Sequence, residues 1–358
     1  MRSPNPAVTS ERSEATRAPG EAANRMQSAS GIVNRVRDRL EKRPEFFTLF
    51  LLIALGAFVG FINPDFFQVA TFFDIARSST VIGLFALGVF VILAAGGIDV
   101  SFTAIAALSM YSVTKLVSVY FPETPILLVF IASTLGGALL GLVNGLLVHE
   151  LRAPPLIVTI GTQYLFRGLL LTFIGTVWII DLPVQMDSFG KIPLISFVTE
   201  RATKVILPAF VLVLLFAALL TWWILNRTLM GKAIFAVGGS PAIAERLGYS
   251  LRSVHFFIFS YTGALAGLAG MIHVCSNRLA NPFDLVGIEI DVIAAVVLGG
   301  ARITGGTGTV IGTVLGVFLV VMVNNVLIMA GVPSTWQRVV VGSFILVAGI
   351  FFVLRKKQ

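Results

Sequence analysis

Five polar side chains stand where the surrounding sequence is apolar: Asp99, Asn144, Arg167, Arg302 and Asn324. A polar or ionisable group inside a membrane-length apolar run costs free energy unless it faces water, a partner or a passing solute. Each is therefore a candidate for lining a translocation pathway, and none for catalysis. Asp99 follows Gly96-Gly97, where a carboxylate capping a helix at a turn is the competing role. Arg302 follows Gly299-Gly300 in the same way, with anchoring at a membrane face as its alternative. Asn144 and Asn324, like Gln163 and Asn325, carry amides that can meet hydroxyl groups or join one helix to another. Arg167, in the middle of its run, needs a partner most. Glu289 and Asp291 open a short apolar run on what reads as the outer side. Acids favour a helix N-terminus there, and a rim contact for an outside protein is the alternative.

Other chemistries are poorly supplied. His149, His255 and His273 lie far apart without neighbouring carboxylate pairs, so no metal site is expected. No Ser/His/Asp grouping sits at a recognisable elbow. The single cysteine, Cys275, excludes an internal disulfide and a cysteine-built metal cluster. A phosphate-cradling loop needs Gly-x-x-x-x-Gly-Lys-Ser/Thr, but Gly305-Gly306-Thr307-Gly308 lacks the lysine and Gly231-Lys232 runs into Ala233. Neither a catalytic residue nor a cofactor is expected.

The elements that must position these groups are membrane helices. Of 358 residues 56% are hydrophobic and 12% charged, with 34 glycines and a net charge of +8. Mean hydropathy is +0.93. Such a balance is that of an all-α polytopic membrane protein, in which small residues let helices approach closely. With about 20 apolar residues per crossing, spans are expected near 46–62, 79–96, 102–120, 125–148, 155–177, 205–225, 255–275, 288–301, 308–330 and 338–354. Basic residues collect at the two ends of the chain and in residues 226–254. The positive-inside rule then puts all three in the cytoplasm, consistent with ten spans. Because the charge marks topology, nucleic-acid binding is not expected.

Residues 1–44 divide into a polar tail, expected to be disordered, and a basic amphipathic segment at 32–43. There Ile32, Val33, Val36 and Leu40 oppose Arg35, Arg37, Arg39, Lys42 and Arg43. It suits an anionic inner leaflet or a plain charged flank to the first span. The membrane-spanning body covers 45–354, and 355–358 is a short basic tail. On the opposite face, 63–74 and 178–204 read as loops, the second long enough for a short interfacial helix.

The stretch Asn226–Val254 holds Arg227, Lys232, Arg246 and Arg252 against one acid, Glu245. Its Gly, Ala and Pro content predicts a short helix between tight turns, a compact protrusion that a soluble partner could grip. Two further segments echo each other: Val91-Ile-Leu-Ala-Ala-Gly-Gly97 and Ala295-Val-Val-Leu-Gly-Gly300, each an apolar run broken by paired glycines. They predict two weakly related halves with broken or short helices meeting around a central pathway.

Four ordered motifs carry a family resemblance: Gly96-Gly-Ile-Asp-Val-Ser101, Gly231-Lys-Ala-Ile-Phe-Ala-Val-Gly-Gly239, Ile293-Ala-Ala-Val-Val-Leu-Gly-Gly300 and Gly305-Gly-Thr-Gly-Thr-Val-Ile-Gly312. Over residues 45 to 354 the chain resembles the permease subunits of bacterial ABC importers for simple sugars. These form the ribose/xylose/galactose branch of a family that also serves branched-chain amino acids. The resemblance implies a dimeric permease in the bacterial inner membrane, as a homodimer or with a close paralogue. It also implies a periplasmic substrate-binding protein and a separate ATP-binding cassette subunit that hydrolyses ATP. It places a coupling helix at Pro241–Leu247, with Gly231, Gly238, Gly239, Pro241, Ala244, Glu245 and Gly248 as coupling residues and the Gly238-Gly239 pair and Gly248 as turns. Ser240 stands where the family often has Asn, and both cap helices. Ile243-Ala244 replaces the more usual Ala-Ala, and the amino-terminal tail exceeds what the core needs. A secondary transporter or channel for a small polar solute is the competing function, but would leave the polar loop without a purpose.

Overall fold

The computed structural model describes residues 44–198 and 204–329, with scattered positions between 331 and 346. The amino-terminal unit, Met1–Phe47, is described only from Pro44; the main unit is Thr48–Gln358. The expected tail and basic segment up to residue 43, the last span at 338–354 and the basic tail after it lie outside the described residues.

The helices are α1 (Pro44–Ile62), α2 (Val69–Ala94), α3 (Phe102–Tyr120), α4 (Ile126–Leu151) and α5 (Pro155–Leu169, continued by a π turn to Ile174). After a short α6 (Val184–Phe189) come strands β1 (Pro193–Val198) and β2 (Lys204–Pro208), paired antiparallel. Then follow α7 (Val211–Arg227), α8 (Leu229–Gly239), α9 (Pro241–Arg246), α10 (Leu251–Asn277), α11 (Glu289–Leu298) and α12 (Val310–Met329). The all-α expectation holds, with the hairpin as an addition at one end.

Among the described residues six helices are long and apolar enough to cross a membrane, and α7 with α8, bent by 74°, would make a seventh. In α1 the apolar helix Glu45–Phe61 falls just short of that length. α11 has ten residues and rises about 15 Å, half of a hydrocarbon core roughly 30 Å thick. Non-helical chain follows it up to Val310, and a bilayer tolerates such chain only where protein or water covers it. The sixth span begins at Val211 rather than 205, because 204–208 pairs with β1 instead of continuing the helix.

Two devices hold the bundle together. α2 is the central helix; from Gly83 to Ala94 every residue is buried, as an all-apolar helix requires. α4 and α10 meet backbone to backbone. A Cβ at Gly137 would fall on the Gly263 carbonyl, one at Gly141 on the Phe259 carbonyl, and one at Gly267 on the Ser133 carbonyl. The spacings Gly137-x3-Gly141-x3-Gly145 and Gly263-x3-Gly267 are small-residue stripes that permit this approach in lipid. The Ser133 hydroxyl seals it by donating to the Gly267 carbonyl at 2.8 Å. On its far side α4 exposes Leu127, Leu128, Ile131, Leu135 and Leu139, a lipid-type face.

Candidate functional site

The polar groups predicted from the sequence separate into three places. At the break between α2 and α3, Asp99 is 1% exposed, and its Oδ1 accepts from the Ser101 amide and hydroxyl, both at 2.7 Å. Asn144, reaching from α4, donates through Nδ2 to the Ser101 hydroxyl at 2.7 Å. The structure thus brings Asp99 and Asn144 into one buried network. Oδ2 of Asp99 and Oδ1 of Asn144 are buried without a partner. An acceptor desolvated in that way costs about 1–3 kcal/mol, so this network is bought at the expense of stability.

The second place lies on α5. Arg167 donates to the carbonyls of Pro282 and Asp284 at 3.3 to 3.4 Å. One turn earlier Gln163 donates to Glu289 Oε1 at 2.9 Å, and Thr103 of α3 donates to the same oxygen at 2.5 Å. Glu289 is 7% exposed, so the outer-rim docking role offered for it by the sequence is corrected. Chain 278–288 descends along α5 and carries the start of α11 into the interior. A carboxylate opening a short apolar run reads locally as a helix N-terminus; only packing against α3 and α5 reveals the buried hub.

Arg302 and Asn324 join neither network. Arg302 is exposed in the loop after α11, and Asn324 is half-buried on α12.

The third place is the polar loop. Thr228 caps α8 by accepting from the Gly231 amide at 3.2 Å, and Gly231 sits in the bend where a Cβ would strike the carbonyl of Leu225. The loop therefore holds two helices, not one. Gly238 and Gly239 are the last residues of α8, which corrects their expected role as a turn; the chain turns at Ser240. Ser240 caps α9, its hydroxyl accepting from the Ile243 amide at 3.4 Å, with Pro241 in the first turn. Gly248, at φ +86°, ends the motif in the left-handed region that glycine favours. Ala244 points inward and is fully buried, while Ile243 and Leu247 are 58% and 69% exposed beside Glu245 and Arg246. A short capped helix presenting apolar side chains with a charged border has the form of a docking knob.

Gly238 locks this loop to the end of α2 and to the Gly305-Gly306 loop after α11. A Cβ there would strike the Ala94 carbonyl and lie 2.7 Å from the Gly306 amide nitrogen. Gly306 donates its amide to the Ala94 carbonyl at 3.0 Å, and a Cβ on Gly305 would sit 2.7 Å from Gly96 Cα. The end of α2 at Ala94–Gly96, the Gly305-Gly306 pair and the end of α8 thus converge on one spot, while Gly299 packs instead against Gly312.

A family model described as "Branched-chain amino acid transport system / permease component" matches residues 71–349. The chain belongs to that family. The permease is 33% identical over 310 residues to the ribose import permease protein of Haemophilus influenzae, covering 86% of this chain and 92% of that one. It is 32% identical over 321 residues to an autoinducer 2 import system permease protein of Yersinia pseudotuberculosis, covering 87% and 85%. There is no significant match among solved structures. With its apolar helices, the permease is a multi-pass membrane protein.

Proposed function

We propose that this permease is the membrane subunit of an ATP-driven importer that moves a monosaccharide or related small polyol across the bacterial inner membrane. The observation that carries the reading is the knob at 240–248, capped, partly apolar and anchored through Gly238 to the end of α2 and to the Gly305-Gly306 loop. A secondary carrier would have no use for it. Its partners are an ATP-binding cassette subunit gripping α9, a substrate-binding protein at the hairpin end, and a second copy of this chain or a close paralogue. Both termini and the 226–254 loop face the cytoplasm, and the body runs from 45 to 354. The ribose import permease among its relatives supports the substrate class. Transport follows a shift between inward- and outward-open states, each partner biasing the equilibrium only as far as it binds one state better.

Two measurements test this. In inverted and right-side-out vesicles, a Ser240→Cys variant should react with a membrane-impermeant maleimide only from the cytoplasmic face. The native Cys275 is fully buried and adds little background. Reaction from outside would overturn the topology. In proteoliposomes holding the permease and its ATP-binding subunit, labelled monosaccharide should enter only with ATP on the cytoplasmic face and binding protein outside. Uptake driven by an ion gradient without ATP would favour a secondary carrier.

A further inference from the structure

The segment from Arg278 to Thr309 is fastened at both ends to elements that sequence reasoning assigned to different jobs. At its far end the Ala280 amide and carbonyl pair with Ile179 at 3.0 Å, and Arg167 grips the carbonyls of Pro282 and Asp284. Glu289 Oε1 then accepts from Gln163 of α5 and Thr103 of α3. From there α11 runs ten residues to Gly299, where α12 packs so closely that a Cβ on Gly316 would fall on the Ala295 carbonyl. Thr48 donates to the Leu298 carbonyl at 2.6 Å and fixes the helix end. The loop beyond closes on itself, Gly305 donating to the Arg302 carbonyl at 3.0 Å, and its Gly306 joins Ala94 against Gly238. An unbroken set of short contacts therefore leads from the end of α8, next to the docking knob, to the middle of α5.

We propose that 278–309 is the strut that transmits movement of the 240–248 knob to α5, with Glu289 as the positioning residue at its α5 end. α11 is suited to the task because it is a short rigid rod whose ends are held by different helices. Helices packed backbone to backbone move together rather than deform. Glu289 is suited because a single carboxylate oxygen takes donors from α3 and α5 at once. A shift of α11 must therefore pull on both, and charge-assisted bonds are about twice as strong as neutral ones. The strut rests on the permease reading and explains how that permease would couple ATP to its pathway.

The test uses the complete importer in proteoliposomes, with labelled monosaccharide as the probe and sugar moved per ATP hydrolysed as the readout. Glu289→Ala and Gln163→Leu should each leave ATP hydrolysis running while the transported amount per ATP falls about fivefold or more. The double variant should be no worse than Glu289→Ala, since both cut one link. Glu289→Gln, which keeps an acceptor oxygen in place, should restore most of the ratio. If Glu289→Ala destabilises the protein, Gln163→Leu stands alone as the test, because Thr103 still pairs with the carboxylate. An unchanged ratio in both single variants would overturn the strut. So would equal loss of hydrolysis and transport, which would make Glu289 a stability residue. A wild-type complex whose ATP hydrolysis ignores the binding protein would instead bring down the permease reading and the strut with it.

Discussion

Replacing Gly238 with valine is expected to abolish ATP-driven uptake, whereas Gly239→Ala, one residue away, should leave it intact. The two glycines are adjacent in sequence, but a side chain at 238 collides with the backbone of Ala94 and Gly306, while one at 239 meets nothing within 4 Å. Overpacking a well-filled site ordinarily costs about 1–3 kcal/mol, and backbone cannot swing aside as a flexible side chain can. The damage also falls where the loop, the end of α2 and the segment after α11 converge. Gly239→Glu makes a finer distinction. It should leave the bundle folded and reduce only the response of the ATP-binding subunit, because 239 is exposed beside the knob. Uptake and membrane level, measured for the three variants in parallel, check this. Full activity in Gly238→Val would remove the proposed weld.

The second large effect is expected at Gly141. A Cβ there would lie 2.1 Å from the Phe259 carbonyl oxygen and 3.1 Å from Gly263 Cα, both inside van der Waals contact. Gly141→Leu would force α4 and α10 apart along a face packed backbone to backbone. A loss near the upper end of overpacking, about 3 kcal/mol, corresponds to a fall in melting temperature of roughly 4 °C for a chain of 358 residues. Gly141→Ala should show the same defect in smaller degree. Gly161→Ala and Gly168→Ala, with open space around them, should melt like the parent in detergent. An unshifted melting curve for Gly141→Leu would contradict the close α4–α10 seam.

These contrasts mark what could be read from the sequence. The apolar runs gave the membrane class, and Gly96-Gly97 with Gly299-Gly300 marked broken helices, because paired glycines inside such runs have a local meaning. That Gly238 packs on Ala94 and Gly306 was hidden; close approach between distant segments leaves no local trace beyond a small residue. Pro193–Val198 and Lys204–Pro208 were passed over as loop and span start, since short apolar β-branched runs fit a strand or a buried helix equally by periodicity. Asp99 and Asn144 were each visible as polar residues in apolar surroundings, but their shared bond to the Ser101 hydroxyl depends on how α4 crosses the α2–α3 break. Glu289 reads as an acid at a helix N-terminus, which it is, but its burial was hidden for the same reason, with Gln163 and Thr103 lying 126 and 186 positions away.

The account turns on the knob at 240–248 being where an ATP-binding subunit engages. The most direct test is ATP hydrolysis by that subunit reconstituted in lipid with the wild-type permease and with Ile243→Glu and Leu247→Glu variants. Both side chains are mostly exposed, so the changes should spare the fold. The expected result is hydrolysis stimulated by loaded binding protein in the wild type and lost in both variants, with the variants still at wild-type levels in the membrane. Stimulation that survives both substitutions would contradict the account.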